Sequence, residues 1–158
     1  MNQGRAGYID TTGKLTIPAY FYEGSDFSEG TAAVETTEKW RFITLAGQLA
    51  LPQKFDKAWA FSEGLALVRS GLKYGYINPA GQFVIQPQFD RAGHFAEGLA
   101  WVTIGDKNGF VDQQGRLVVP TLYDDARSFE GGLAWVRHGE REGYINPQGN
   151  AVWVGTRP

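Results

Sequence analysis

The sequence predicts an all-β fold built from tandem repeats. A short phrase recurs at a fixed interval, because GYINPAG begins at residue 75 and GFVDQQG at residue 109, and 109 − 75 = 34. Large apolar side chains alternate in the segments KLTI (14–17) and QFVI (82–85), which is the spacing of a strand. Gly and Pro interrupt every copy, and they would cost an α-helix about 1 and 3 kcal/mol per residue. We therefore expect β-repeats instead of the helical repeats that share this period.

Alignment on the first glycine of the phrase divides one predicted domain, residues 1–158, into repeated copies. The copies are 7–40, 41–74, 75–108, 109–142 and a partial C-terminal copy, 143–158. Most copies follow G-[YF]-[IV]-[DN]-x-x-G-x-[LF]-x-[IV]-P, then a variable stretch, then F-[SA]-E-G-L-A-x-V. The predicted structural landmarks of the repeat are Gly13, Gly47, Gly81, Gly115, Gly149, Phe27, Phe61, Phe95 and Phe129.

The first half of each copy predicts a hairpin of two strands, here called a and b. In the third copy, strand a (75–78) and strand b (82–85) flank Asn78-Pro79-Ala80-Gly81. Asn at the first position, Pro at the second and Gly at the fourth are typical of a type I turn followed by a residue with positive φ. The second copy has Thr44 at the first turn position and Arg41 in place of the glycine, so we expect a local distortion there.

The second half of each copy predicts a third strand, c, which forms a hairpin with strand a of the next copy. In the third copy strand c spans 99–103 and leads through residues 105–108 into the next strand a. Strand c is apolar on both faces, and such strands are usually covered on both. Alanine recurs at one position of this strand, which indicates close approach of another layer. The positions are Ala32, Ala66, Ala100 and Ala134.

The two ends of the chain favour an open, twisted, solenoid-like array over a closed ring. The chain begins with strands a and b of the first copy and ends with strands a and b of the fifth, so its ends duplicate each other and are not complementary. Three strands per copy are also fewer than the four of a propeller blade. We expect the partial copy to cap the array. The alternative is a closed propeller-like or barrel-like arrangement.

Several phrases resemble the WG repeat family, also called KWG repeats, over residues 7 to about 154. They are GYIDTTGKLTIP, FSEGLALVRSGLKYGYINPAGQFVIQPQFD, FAEGLAWV and GFVDQQGRLVVPTLYDDA. The Trp-Gly pair that gives the family its name is absent from the junctions, which are Trp40-Arg41, Tyr74-Gly75, Asn108-Gly109 and Glu142-Gly143. The resemblance implies a mostly bacterial, all-β repeat scaffold that binds other molecules. It supplies no catalytic residues.

Composition excludes several classes of function. The net charge of −2 argues against nucleic acid as a partner, because nucleic-acid binding needs a basic face. Cysteine is absent, which excludes disulfides and thiolate metal sites. No apolar stretch approaches the roughly 20 residues of a membrane helix, and the N-terminus lacks the apolar run of a signal peptide. We expect a monomer without membrane insertion that would be cytoplasmic if the chain is complete.

The sequence contains no motif for catalysis, a cofactor or a metal. GxSxG, HExxH and phosphate-loop patterns are missing, and neither His94 nor His138 has a second ligand at metal-binding spacing. We therefore predict a protein that is not an enzyme and has no cofactor. Two rows of carboxylates recur. The glutamates could form a ladder of ligands or acids, but their place before a fixed glycine in a fixed turn explains them better. The aspartates could bind cations in a row, but a side-chain-to-backbone turn bond explains them equally well, and we favour the turn. The rows are Glu29, Glu63, Glu97 and Asp56, Asp90, Asp124.

Candidate binding residues lie where the copies differ. One variable zone is the loop between strands b and c, which carries Trp59, His94 and Arg127, and the other is the turn at the copy boundary, which carries Trp40. Trp and Arg are common anchors of protein interfaces. We predict a scaffold that binds a protein through these loops. The alternatives are a carbohydrate or cell-envelope polymer bound by exposed aromatics, or a spacer in which Trp59 packs into the core.

Overall fold

The computed structural model describes residues 4–156, apart from the side chains of Trp153 and Thr156. This part of the chain contains strands and no helix, and hence no helix that could cross a membrane. The strands are β1 (Ala6–Ile9), β2 (Leu15–Phe21), β3 (Thr31–Glu35), β4 (Trp40–Thr44), β5 (Lys57–Ser62), β6 (Leu65–Ser70), β7 (Lys73–Ile77), β8 (Phe83–Phe89), β9 (Arg91–Ala92), β10 (Leu99–Ile104), β11 (Lys107–Asp112), β12 (Leu117–Tyr123), β13 (Asp125–Ala126), β14 (Ala134–His138), β15 (Arg141–Ile145) and β16 (Ala151–Thr156). The all-β prediction is confirmed.

The strands form a row of antiparallel sheets that follow the chain order. Strands β1 and β2 form a half-sheet, and β3 and β4 form sheet one, which the bridges Gly24–Val34 and Trp40–Phe55 extend on both sides. Sheet two is β5-β6-β7-β8, sheet three is β9-β10-β11-β12, and sheet four is β13-β14-β15-β16. Among the described residues no strand of the half-sheet pairs with sheet four. The array is open, as the sequence predicts.

Each full sheet contains four strands, and the expectation of three strands per copy was wrong. The loop between strands b and c supplies the fourth, a short strand such as β9, in which Ala92 pairs with Val102. A sheet therefore takes its short strand and strand c from one copy and strands a and b from the next. The partial fifth copy supplies β15 and β16, which complete sheet four beside β13 and β14. In β9 and β13 two residues are too few to show an alternation, and in the six-residue β5 a bulge interrupts it, which is why the sequence pattern did not reveal this strand.

The core lies between the sheets, and each core cluster joins two neighbours. Strand c is covered on both faces, since Ala66 and Val68 are fully buried towards one side and Leu67 is 3% exposed towards the other. The four predicted alanines of strand c are each 0% exposed, which confirms the close approach of a neighbouring layer.

An aromatic pair occupies every junction between neighbouring sheets. A ring from strand a contacts the landmark phenylalanine of the loop that follows it, edge to face or tilted. The ring centroids are 4.7 Å apart for Tyr8–Phe27, 5.2 Å for Phe42–Phe61, 4.8 Å for Tyr76–Phe95 and 5.0 Å for Phe110–Phe129. Such pairs contribute about 0.5–1.5 kcal/mol beyond the area they bury. The landmark phenylalanines therefore recur because they join one sheet to the next.

The two glycine positions of each hairpin require glycine for different structural reasons. Gly81 has a φ of 79°, as the predicted turn requires. Gly109 lies within strand a, where an added Cβ would sit 2.4 Å from the carbonyl oxygen of Val119 on strand b. In the second copy Arg41 stands at this strand position, and the facing strand b keeps only the isolated bridges Ile43–Leu49 and Trp40–Phe55. The expected distortion of copy two is present.

Replacement of Gly109 by alanine should destabilise the protein, because the new methyl group would force strands β11 and β12 apart. We expect Gly109→Ala to lower the free energy of unfolding by about 1–3 kcal/mol. Gly155→Ala is the matched control, since Gly155 is also in a strand and has open space around its Cα, and it should change stability by less than about 0.5 kcal/mol. Chemical denaturation measures both. Equal effects would contradict the close strand approach.

Candidate functional site

The short strands of successive sheets converge on one groove. A cavity of about 290 Å³ is lined by residues of three sheets. Trp59 comes from β5 of sheet two, Arg91 from β9 of sheet three, and His94 and Ser128 from the loops that follow β9 and β13. Tyr74 and Trp101 complete its walls, with Leu67 at its base. We call this surface the short-strand groove.

A bulge in β5 directs Trp59 into the groove. The pairing of β5 with β6 shifts between Ala58 and Phe61, so that one extra residue stands on the β5 side. Such bulges turn a side chain out of the regular alternation. The Trp59 ring packs beside Tyr74 with ring centroids 5.8 Å apart and planes inclined by 32°. Both rings are partly exposed, so each keeps a surface that a ligand can contact.

Gly93 makes room for Trp101 in the groove. A Cβ at Gly93 would lie 2.1 Å from the indole nitrogen of Trp101, so a larger residue would displace this ring. The Tyr76 hydroxyl, which is buried, donates a hydrogen bond of 2.6 Å to the Gly93 carbonyl and fixes the backbone there. Sequence reasoning missed Tyr74, Arg91 and Trp101. The change from Leu67 to Trp101 at one strand-c position was the signal that could have found Trp101.

The groove is aromatic and carries little charge. Arg91 is exposed and is the charged side chain among the residues that line the cavity. His94 is also exposed at the rim, where partial burial lowers the pKa of its imidazole and favours the neutral form at pH 7. No carboxylate lines this cavity. The arrangement can bind apolar or aromatic groups and can pair one negative charge with Arg91.

The four residues predicted as binding candidates fall in different places. Trp59 and His94 meet in the short-strand groove. Trp40 is only 7% exposed and belongs to the core between sheets one and two, with the Lys57 ammonium 5.3 Å from its ring centroid. Arg127 lies on sheet four, its guanidinium 5.0 Å from the ring centroid of Trp135. Trp40 nevertheless lines a neighbouring cavity of about 390 Å³ together with Trp59, so the fold brings Trp59 beside both His94 and Trp40, whereas Arg127 stays apart.

The recurring glutamates fasten each loop to the next. Glu63 has a φ of 54°, and its carboxylate accepts a hydrogen bond of 2.9 Å from the Gly98 backbone N–H, 35 residues later. Glu97 accepts a corresponding bond of 2.8 Å from Gly132. Glu29 repeats this contact with Gly64. The glutamates lie in turns, as the sequence indicates, and they adopt a positive φ there. The sequence did not predict that their carboxylates accept hydrogen bonds from the next copy.

The recurring aspartates join the other ends of neighbouring sheets. Asp90 accepts a hydrogen bond of 2.7 Å from the Gly105 backbone N–H, and it forms an ion pair of 2.5 Å with Lys73 of the preceding sheet. Asp56 repeats this arrangement with Gly71 and Lys39, and Asp124 with Gly139 and Lys107. These carboxylates are occupied by protein donors. Within residues 4–156 no three His, Asp or Glu side chains cluster closely enough to hold a metal ion.

A family model for the WG containing repeat matches the chain at residues 7–40, 40–73, 74–107 and 109–141. No curated protein matches the sequence. A solved structure of KlHsv2 with loop 6CD replaced by a Gly-Ser linker is similar at a TM-score of 0.64 and 12% identity. The match covers 89% of this chain and 54% of that one, so this chain spans about half of its length. The computationally designed Ika4 protein is similar at a TM-score of 0.51 and 10% identity, over 83% of this chain and 88% of its own. These likenesses concern the fold alone.

The aspartate links predict a loss of stability in acid. The Lys107 ammonium, followed by the Gly139 N–H, lowers the pKa of Asp124 to about 2. Because this folded-state value lies below the value of about 3.9 in an unfolded chain, the link stabilises the fold above pH 4 and is lost as the pH falls through 2. Asp124→Asn should flatten the dependence of stability on pH between 4 and 2. Denaturation at several pH values measures it, and equal slopes for Asp124→Asn and the unchanged chain would count against the link.

Proposed function

Because the chain belongs to the WG containing repeat family, we propose that it is a binding module without catalytic activity, whose short-strand groove contacts a protein partner. The observation that carries the proposal is the row of partly exposed aromatic rings at the convergent short strands, Trp59, Tyr74 and Trp101. Trp, Tyr and Arg supply most of the strong anchors in protein interfaces. The groove combines all three on rigid sheets.

The groove continues into neighbouring cavities, which gives it the extent that a protein partner needs. On one side, Trp59 is also a wall of a cavity of about 390 Å³ that includes Glu23 and Ser25. On the other, Trp101 and Arg91 are walls of a cavity of about 310 Å³ that includes Asp125. A specific protein interface needs on the order of 800 Å² per partner, which a row of cavities can supply better than one.

The charges along this row favour a partner surface of mixed charge around an apolar centre. Arg91 and Asp125 line one flanking cavity, and Glu23, whose carboxylate lies 3.9 Å from the Lys57 ammonium, lines the other. Opposite charges on a partner would fix its register on the groove more than they would add affinity. A polyanion would meet both acids, so this pattern supports a protein over nucleic acid.

A carbohydrate is the second candidate ligand, because the Trp59 and Tyr74 rings could stack on a sugar. A sugar also requires amides or carboxylates with free hydrogen-bonding capacity beside the rings. Asn108 lines a cavity together with Trp101, but its side-chain amide already bonds the Thr103 hydroxyl at 2.7 Å and the Tyr123 carbonyl at 3.3 Å. The aromatic pair and the carboxylates Glu23 and Asp125 of the flanking cavities favour this ligand, while the occupied amide and the exposed Arg91 favour a protein.

Parallel screens of a displayed peptide library and a glycan array test the proposal. We expect enriched peptides whose affinity falls about tenfold or more in Trp59→Ala, because anchor residues account for most of the binding energy. Val84→Ala is the control, since Val84 is an exposed apolar residue of the same sheet, 43% exposed and outside the groove. Binding of glycans with the same dependence on Trp59 would replace the protein partner by a carbohydrate. Peptides that bind Trp59→Ala and Val84→Ala with equal affinity would refute the groove as the binding site.

A further inference from the structure

One pair of neighbouring positions supplies a tryptophan in each of sheets two, three and four. One position lies in or just after the short strand and the other lies in strand c, and both recur at 34 residues. The Gly93 N–H, for example, donates a hydrogen bond of 2.9 Å to the Trp101 carbonyl. The tryptophan changes strand between sheets two and three, yet each pair still contributes one indole. The pairs are Trp59/Leu67, Gly93/Trp101 and Arg127/Trp135.

Trp59 and Trp101 are the two of these rings that one ligand can contact together. Both are partly exposed and both line the short-strand groove. Trp59 packs beside the core cluster between sheets two and three, and Trp101 beside the cluster between sheets three and four. Trp135 differs, because the Arg127 guanidinium lies 5.0 Å from its ring centroid. The two free rings are thus displaced by one sheet, and stacked sheets lie about 10 Å apart.

The polar side chains of the groove offer mainly hydrogen-bond donors. The indole N–H groups of Trp59 and Trp101 and the guanidinium of Arg91 can donate but cannot accept. Within the described residues, none of these three side chains donates to an acceptor of the protein. The lining contains no carboxylate and no side-chain amide. The groups that can both donate and accept are the side chains of Tyr74, His94 and Ser128.

The backbone at Gly93 does not add a free acceptor to the groove. Its carbonyl accepts the hydrogen bond of 2.6 Å from the Tyr76 hydroxyl, and its N–H is bonded to Trp101. A ligand that matches the groove must therefore bring acceptors and apolar surface. It must also bring few donors, because a donor buried without an acceptor costs free energy.

We propose that the short-strand groove binds a Pro-x-x-Pro segment of its protein partner in the polyproline II conformation, an inference that rests on the function proposed above. Proline has no N–H, and this conformation makes no internal hydrogen bonds, so the carbonyls remain free to accept. Three residues advance the segment by about 9 Å, close to the spacing of about 10 Å between stacked sheets. One proline ring would lie on Trp59 and the next on Trp101, while carbonyls accept from the indole N–H groups.

Other ligands match this set of donors less well. An extended strand carries as many N–H groups as carbonyls, and its N–H groups would need acceptors that the groove lacks. The hydroxyls of a sugar also donate as well as accept. A polyanion would meet Asp125, which lines the adjoining cavity together with Arg91. Aromatic-lined grooves are, by contrast, a recurrent way of binding proline-rich segments.

Titration of the isotope-labelled full chain with the acetylated and amidated peptide PAAPAAPAAP tests the proposal. Nuclear magnetic resonance follows the indole N–H signals, and we expect saturable shifts of those of Trp59 and Trp101. The matched control is PAPAAAPAPA, which has the same composition but no two prolines three residues apart. It should bind about fivefold more weakly or less, because only one ring can be engaged at a time.

Two variants of the chain separate the donor from the ring. Trp59→Phe keeps an aromatic ring and removes the indole N–H, so the affinity for PAAPAAPAAP should fall about two- to tenfold. Val84→Ala is the control, because Val84 is exposed on sheet two and lies outside the groove. Its affinity should stay within about twofold of that of the unchanged chain.

The outcomes distinguish this inference from the function on which it rests. Equal affinity for the two peptides would overturn the spacing of the prolines. No binding of PAAPAAPAAP up to about 1 mM, with library peptides that still depend on Trp59, would overturn the proline-rich ligand and keep the groove. Glycans that shift the same indole signals while both peptides fail would assign the groove to a carbohydrate. Peptides of every kind that ignore Trp59 would overturn the groove itself.

Discussion

The junction between successive sheets is the interaction on which the whole structure depends. No sheet has a core of its own, because strand c is apolar on both faces and needs a neighbour on each side. Tyr76 and Phe95 show the form of the contact, with an aromatic ring of one sheet packed against the loop of the next. The fully buried Ala100 lets the layers approach closely. The fold and its stability both follow from this one repeated contact.

The same constraint decides where the copies are free to differ. Residues that meet across a junction recur every 34 positions. In the loop before strand c, only the phenylalanine has to fall at the repeated position. Trp59, Gly93 and Arg127 occupy one position of that loop and have little in common chemically. Variation therefore accumulates at the convergent short strands, and the aromatic groove lies there, supported by sheets that do not need to change.

The hairpins, the landmark residues and the covered faces of strand c could all be predicted, because each rests on local turn chemistry or on alternation along one strand. The two-residue strand β9 could not, because its pairing with β10 depends on a neighbour and not on its own pattern. Trp40 was misleading for a similar reason: its place in a variable turn suggested a surface, and only the packing of the next sheet buries it. The hydrogen bond from the Gly98 N–H to the Glu63 carboxylate spans 35 residues and forms only because successive sheets lie next to each other.

The offset between copies and sheets has a consequence for cooperativity. Strands β6 and β7 share sheet two although the second copy ends at residue 74, the second residue of β7, so that most of β7 belongs to the third copy. Each copy consequently contributes strands to two neighbouring sheets and ties them together. Loss of one copy's structure removes strands from both sheets, so local unfolding is penalised twice. An open array of small sheets would otherwise unfold one sheet at a time. Because neighbouring sheets share copies, we expect this array to unfold over longer stretches.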